Sequence, residues 1–211
     1  NYPSDKIEWV IVDDGEEDIS DLIAFSKNIK YFKISVESRL SIGHKRNLCI
    51  QKCTHDIIVS MDDDDYYPAE SVLARVKTLL KYPNIMCVGC NNIGIYDIIT
   101  RRSFLASDGN KFFSEASIAF RKVFWEQRPF YEHDKFGEGK FFFQYRENLM
   151  MSIPFQFVII ALKHNHNTTN NIRNIKDDKK QYSDLYELIV PEMQFFLETL
   201  KKNKSITEIK N

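Results

Sequence analysis

Four consecutive aspartates occupy residues 62–65, and only Ser60 and Met61 separate them from the short apolar run at residues 57–59. Adjacent carboxylates repel one another, so such a run is favourable only where positive charge compensates it. A hard divalent cation, which prefers oxygen ligands, is the expected source of that charge. The alternative is a solvated acidic turn. The abrupt change from an apolar strand to an acidic run favours a metal site at the end of that strand.

The elements around this run alternate between strands and helices over residues 1–82. This alternation predicts an α/β fold with a mostly parallel sheet and helices on both faces. Ligands of such sheets bind beyond the carboxyl ends of the strands, where the aspartates would lie. The predicted strands are 7–12, 31–36 and 57–59, and the predicted helices are 18–29, 43–53 and 69–80. In the last helix the residues predicted to face inward are Val72, Leu73, Val76, Leu79 and Leu80.

The second half of the chain is less regular. The absence of a visible linker or internal repeat predicts a single domain over residues 1–211, with a polar, frayed end. The predicted strands are 85–88, 93–99, 117–120 and 153–162; the predicted helices are 140–150 and 182–200, the latter bent at Pro191, with a short aromatic turn or helix at 124–130.

The charge of the chain is nearly balanced, with 29 basic and 30 acidic residues. No global field therefore favours a nucleic acid or an anionic membrane as a partner. No apolar run approaches the ~18 residues of a membrane span, and no signal peptide is visible at Asn1.

Four cysteines, Cys49, Cys53, Cys87 and Cys90, have spacings compatible with a zinc site. Because the first pair falls on a predicted helix and the second on a predicted strand, free thiols are favoured over zinc ligands. Free thiols are typical of a reducing compartment, so a cytoplasmic location is expected.

Three blocks of the sequence resemble glycosyltransferase family 2, whose members have the GT-A fold. The blocks are residues 7–15, residues 43–68, and a third made of residues 117–121, 137–138 and 164–169. The resemblance spans residues 2–170 and implies a GT-A-like (Rossmann-like) fold. It divides the chain into a nucleotide-sugar-binding half at 1–92, an acceptor and catalytic half at 93–180, and a C-terminal helix and tail at 181–211.

The family's fold begins one strand and one helix before the first of these blocks. Tyr2 and Pro3 resemble the loop that precedes the second strand. The resemblance therefore implies that the first strand and helix lie before Asn1 or come from elsewhere.

The resemblance also implies a reaction. A sugar is transferred from a nucleotide-diphosphate sugar, with a UDP-sugar as the default donor, to a hydroxyl of a glycan, lipid or protein acceptor, with inversion. One rival is a nucleotidyltransferase, which usually carries a glycine-rich phosphate loop that is not visible here. The other rivals are a non-catalytic binding module of the same fold and a calcium-binding surface protein built on the aspartate run.

For the metal site, the resemblance places Asp62 toward the ribose and Asp64 on the metal ion that bridges the phosphates. His164 matches the family's late histidine and becomes the third ligand, unless it belongs to an asparagine-rich surface loop. The implied ion is Mn²⁺ or Mg²⁺, and a histidine ligand favours Mn²⁺. The register alternatives are Asp63 and Asp65, and His166 shares a strand face with His164.

Two acidic and two basic residues are candidates for contacts with the nucleotide. Asp13 or Asp14 is expected to accept a hydrogen bond from the base, the alternative being that Asp-Asp-Gly is merely a turn. Lys45 and Arg46 open a helix, where positive charge is slightly unfavourable, so a role beside the diphosphate is favoured.

Glu138 is the candidate general base that removes the proton of the acceptor hydroxyl. Related enzymes often have Glu-Asp where this chain has Glu138-Gly139, so a nearby carboxylate such as Asp134 is the alternative. Glu138 is also explained by a position at the start of a helix. Nearby aromatics would form a sugar-stacking platform or, as is more common, core: Trp125, Phe130, Tyr131, Phe141, Phe142 and Phe143.

Overall fold

The computed structural model of the protein describes residues 1–24, 26–35, 39–107, 112–133, 138–165, 167 and 191–202. Among these residues it contains nine strands and six α-helices.

The first unit joins strand β1 (Trp9–Asp13), the short helix α1 (Ser20–Ile23) and strand β2 (Ile29–Lys33), with the two strands parallel. The predicted helix at 18–29 is therefore four residues long. A turn at Ser26 leads the chain into β2. The Ser26 hydroxyl accepts the N–H of Asn28, and the Ser26 carbonyl oxygen accepts the N–H of Ile29, the first residue of β2.

The central unit agrees closely with the sequence. Helix α2 (Ile42–Lys52), strand β3 (Ile57–Val59) and helix α3 (Ser71–Lys81) follow in the predicted order. The Ser41 hydroxyl caps α2 by accepting the His44 N–H at 3.1 Å. The aspartate run connects β3 to α3, as predicted.

The remaining strands are β4 (Cys87–Gly89), β5 (Asn92–Asp97), β6 (Arg102–Ser107), β7 (Ala119–Arg121), β8 (Met150–Ser152) and β9 (Ile160–Lys163). With β3 they form two mixed sheets. Strand β7 lies between β3 and β4 and is antiparallel to both, and β5 pairs with β6 as an antiparallel hairpin. Among the described strands, three of the six pairings are antiparallel, so the sheets are less parallel than predicted.

Helix α4 (Lys122–Gln127) follows β7. Helix α5 (Glu138–Phe143) is shorter than predicted, and the chain pairs with β4 as β8 from residue 150 onward. A 3-10 turn at Phe155–Phe157 replaces the first part of the predicted late strand. The described part of the predicted terminal helix is helix α6 (Pro191–Lys202); positions 182–190, and with them the predicted bend at Pro191, lie outside the described residues.

Among the described residues, the buried side chains form a small cluster of Leu79, Val88 and Ala119 and two large ones. One is rich in phenylalanine and packs α2, α4 and α5 on β3, β4 and β7; Phe130 and Phe142 stack in it at a ring distance of 4.1 Å. Phe130, Phe142 and Phe143 are thus core, whereas Tyr131 and Phe141 are exposed. The second cluster packs β5 and β9 against α6.

Helix α3 corrects the predicted inner face. Leu73 and Leu80 are exposed, whereas Arg75 is completely buried. At 3.6 residues per turn, Val72, Arg75 and Leu79 share the stripe that faces β3 and β7, and Leu73 and Leu80 fall beside it.

All four cysteines are free thiols, as predicted. Burial raises the pKa of Cys53 to about 11 and of Cys90 to about 12. In the described part of the chain, the grouping of side chains with metal-binding spacing is made of aspartates and includes no cysteine. No helix within the described ranges has the length and apolar character of a membrane span.

Candidate active site

Three of the four consecutive aspartates converge at the carboxyl end of β3. Asp62, Asp64 and Asp65 each place a carboxylate oxygen within 4.8 Å of the others, whereas Asp63 is exposed and lies outside this group. The Leu162 N–H in β9 donates to Asp65 Oδ1 at 2.9 Å, which ties the loop to the neighbouring sheet. Three carboxylate oxygens at this spacing suit a hard divalent ion.

His164 follows β9 and lies beside the aspartates. Its Nε2 is 3.2 Å from Asp64 Oδ2, and the Asn167 side-chain amide donates to the same oxygen at 2.8 Å. Asn167 is buried, and its side-chain oxygen Oδ1 accepts the backbone N–H of His164 at 2.7 Å. The late histidine therefore meets the aspartate run, as the resemblance implied. His166, Thr168 and Thr169 lie outside the described residues.

Arg46 connects the aspartate loop to the start of α5. Its Nη2 is 3.0 Å from Asp62 Oδ1, and its Nε donates to Glu138 Oε1 at 3.2 Å. Burial alone would lower the pKa of Arg46, but the surrounding carboxylates raise it above its usual value. The guanidinium is therefore a permanent positive charge among acidic groups.

A third carboxylate, Glu115, faces the same arginine. Glu115 begins the 3-10 turn before β7 and is partly exposed. Burial, and after it the charge of Glu138, raises the pKa of Glu115, while Arg46 opposes that shift. A Cβ atom added at Gly139 would lie 2.0 Å from Glu115 Oε1, so Glu115 fills the space beside that glycine.

The two acidic residues at the end of β1, Asp13 and Asp14, have internal partners. Asp13 accepts hydrogen bonds from the Tyr31 hydroxyl at 2.6 Å, the Gly15 N–H at 2.7 Å and Lys33 at 3.1 Å. The Tyr31 hydrogen bond contributes most to the lowered pKa of Asp13. These bonds fix the turn that ends β1, which is the structural interpretation of this motif.

Asp14 is joined to the start of α2. Its carboxylate accepts the Leu40 N–H at 2.9 Å and Lys45 Nζ at 3.1 Å. Burial would raise the pKa of Asp14, but these two bonds lower it. Asp14, a candidate for the base, and Lys45, a candidate for the diphosphate, therefore form one ion pair. The Lys45 side chain remains 34% exposed in it.

One aromatic and one basic side chain, those of Tyr67 and Arg75, hold the aspartate loop in place. The Tyr67 hydroxyl accepts the Asp62 N–H at 2.7 Å and donates to the Ala116 carbonyl at 3.1 Å. Arg75 donates to the carbonyl oxygens of Ser60 at 2.8 Å and Ile118 at 3.2 Å. Both residues link the end of β3 to the segment that precedes β7, so they fix the position of the loop.

The structure joins Arg46 to Asp62 and Glu138, and joins Asp64 to His164. The Asp14–Lys45 ion pair involves the residue that precedes Arg46 on α2. Asp134, the alternative base, lies outside the described residues. The sequence analysis missed Glu115, Tyr67, Arg75 and Asn167. Asn167 was predictable, because it follows His164 at the family's spacing. The sequence signal for Glu115 is indirect: Gly139 has no side chain, which leaves room for the Glu115 carboxylate.

Comparison with known proteins identifies the family. The sequence profile of glycosyl transferase family 2 matches residues 1–154. The chain therefore belongs to glycosyltransferase family 2. No curated protein matches the sequence.

Solved structures with a similar fold include two glycosyltransferases. S. aureus TarS 1-349, in complex with UDP-GlcNAc, gives a TM-score of 0.58 at 15% identity, covering 83% of this chain and 54% of the other. Mannosyltransferase PcManGT from Pyrobaculum calidifontis, in complex with GDP-Man and Mn²⁺, gives 0.56 at 16% identity, covering 80% and 51%. The predicted GT-A fold class is thus confirmed, and this chain spans about half the length of those chains.

Proposed function

We propose that this chain transfers a sugar from a nucleotide-diphosphate sugar to an acceptor hydroxyl, using a divalent metal ion and inverting the anomeric carbon. The observation that carries the proposal is the convergence of Asp62, Asp64 and Asp65 at the end of β3, next to Arg46 and Glu138. Family membership supports this reading over a calcium-binding surface protein.

The residues at this edge fit a divalent ion. Asp64 and Asp62 would hold it, with Asp65 as a further oxygen ligand and His164 within reach of Asp64. Such an ion acts as a Lewis acid that offsets the charge gathering on the leaving diphosphate. Mn²⁺ is the first candidate because an imidazole is adjacent, and Mg²⁺ is the second.

The donor nucleotide is proposed to lie between β1 and the aspartate loop. Lys45 is the better placed of the two basic residues to contact the phosphates, because Arg46 is already held by Asp62 and Glu138. Asp14 lies next to Lys45 and remains the candidate for the base, since Asp13 has three internal partners. A UDP-sugar is the default donor, and the similar PcManGT structure makes a GDP-sugar the first alternative.

The acceptor hydroxyl is proposed to approach from the side of α5. A carboxylate there, with Glu138 as the sequence candidate, would take its proton as the hydroxyl oxygen attacks the anomeric carbon. A single in-line displacement of this kind inverts that carbon. Tyr131 and Phe141, exposed with ring centroids 5.9 Å apart, offer an apolar surface near this entrance for a glycan or lipid acceptor.

A donor-turnover assay tests the proposal. We expect the protein to release nucleoside diphosphate slowly from UDP-GlcNAc or GDP-Man, with water as acceptor, when Mn²⁺ is present. Removal of the metal with EDTA is expected to reduce the rate at least about 100-fold, because the ion contributes several kcal/mol.

Release that persists undiminished in EDTA would contradict metal dependence. Release of pyrophosphate from a nucleoside triphosphate, with no turnover of either sugar nucleotide, would instead favour a nucleotidyltransferase. Binding of a sugar nucleotide with no turnover would indicate a non-catalytic module of the same fold.

A further inference from the structure

Gly139, in the first turn of α5, has no side chain, and the carboxylate of Glu115 lies next to it. Gly139 follows Glu138, and a Cβ atom there would lie 2.0 Å from Glu115 Oε1 and 2.6 Å from Glu115 Cδ. The Glu115 carboxylate therefore occupies the space that a side chain at position 139 would need. It reaches this space from the turn before β7.

The two glutamates differ in what they are free to do. Glu138 is buried, its side chain is 7% exposed, and its Oε1 accepts the Arg46 Nε–H. Glu115 is partly exposed, and its Oε1 lies beside Gly139. A carboxylate oxygen that already accepts a guanidinium N–H is not open to a substrate hydroxyl, so Glu115 is the better placed of the two glutamates to take a proton.

The charges around Glu115 favour the same division of roles. The charged groups that face it are Glu138, Arg46 and Asp62. Burial and the negative charge of Glu138 raise the pKa of Glu115, whereas the positive charge of Arg46 opposes that shift. A carboxylate whose pKa is raised toward the working pH is suited to accept a proton.

We infer that Glu115, and not Glu138, is the catalytic base of the transfer, an inference that rests on the proposed function. As the acceptor oxygen forms its bond to the anomeric carbon, its proton passes to the Glu115 carboxylate. The bond from that carbon to the phosphate oxygen breaks, and its electron pair leaves with the nucleoside diphosphate. Glu138 is then a positioning residue that holds Arg46, and Arg46 holds Asp62.

Replacement of Glu115 tests this division. Glu115→Gln keeps the size of the side chain and removes the base, so release of nucleoside diphosphate from UDP-GlcNAc or GDP-Man with Mn²⁺ is expected to fall about 100-fold or more. The affinity for the nucleoside diphosphate with Mn²⁺ is expected to change less than about threefold, because Glu115 is not among the residues proposed to contact the nucleotide or the metal. Glu126→Gln, an exposed glutamate on α4, is the control and should leave both quantities unchanged.

A carboxylate exchange provides a second test that a purely structural role would not pass. Glu115→Gly should lose turnover, and adding Gly139→Asp should restore at least about a tenth of it, because the new side chain enters the vacated space from α5. The acidic limb of the pH–rate profile, which lies above the ordinary carboxylate range in the native protein, should disappear in Glu115→Gln and return in the double variant.

The outcomes separate the inference from the proposed function. Near-native turnover in Glu115→Gln, with loss of turnover in Glu138→Gln, would overturn the inference and leave the transferase intact. Failure of Gly139→Asp to rescue a folded Glu115→Gly protein that still binds the nucleotide would also overturn it. Absence of turnover by the native protein would overturn both.

Discussion

Replacing Asp64 with alanine is expected to reduce metal-dependent donor turnover by about 1000-fold or more. Asp64 belongs to the aspartate group and is the member that contacts both His164 and Asn167. Loss of its carboxylate would weaken the hold on an ion that contributes several kcal/mol, and each ~1.4 kcal/mol corresponds to a factor of ten in rate. The measurement is the initial rate of nucleoside diphosphate release at saturating Mn²⁺.

The control for this variant is Asp56→Ala. Asp56 is an exposed aspartate at the opposite end of β3, so its removal changes the net charge equally without touching the site. Turnover within tenfold of the native rate in Asp64→Ala would show that the aspartate run does not hold the ion.

Replacing Arg75 with methionine is expected to lower the free energy of unfolding by roughly 3 kcal/mol. The buried guanidinium donates to Ser60 O, Ile118 O and Ser71 O, and to the Ser71 hydroxyl at 2.8 Å. Burial lowers the pKa of Arg75 to about 10, which leaves it charged at neutral pH. Methionine fills much of the volume but makes none of these bonds, so the carbonyl oxygens lose a charged donor.

The measurement is urea denaturation of the two proteins under identical conditions. Lys77→Met is the matched control, because Lys77 is an exposed cation on the same helix and its loss should cost less than about 0.5 kcal/mol. Equal stability of Arg75→Met and the native protein would mean that the network under the aspartate loop contributes little to folding.

The central strand, its two flanking helices and the aspartate run were predictable because local signals coincide there. The Ser41 cap, the apolar strand and Pro68 mark the ends of α2, β3 and α3 within about two residues. In the second half the outcome depends on pairing between distant strands. The predicted helix at 140–150 extends into this segment, but residues 150–152 form β8 because they pair in parallel with β4.

The candidate site likewise contains residues that sequence motifs predict and contacts that only the packing of distant elements reveals. The positions of Asp62, Asp64 and His164 followed from motifs, and the structure brings these residues together. The internal partners of Asp13 and the Asp14–Lys45 ion pair did not follow, because they depend on how β2 and α2 pack beside β1. Glu115 has no local pattern that marks it, and its importance becomes visible only beside Gly139 and Arg46.

The central claim is that this edge of the fold binds a nucleoside diphosphate through a divalent metal ion. Its most direct test is a thermal-melt series of the protein with UDP, GDP and dTDP, each with and without Mn²⁺. A ligand at about 100 times its Kd adds roughly 2.7 kcal/mol, which corresponds to a rise in Tm of about 5–10 °C for a chain of this size. We expect that rise with one nucleotide, in the presence of Mn²⁺, and its loss in Asp64→Ala. Cooperative melting at the same Tm with every nucleotide and metal would contradict the proposed donor site.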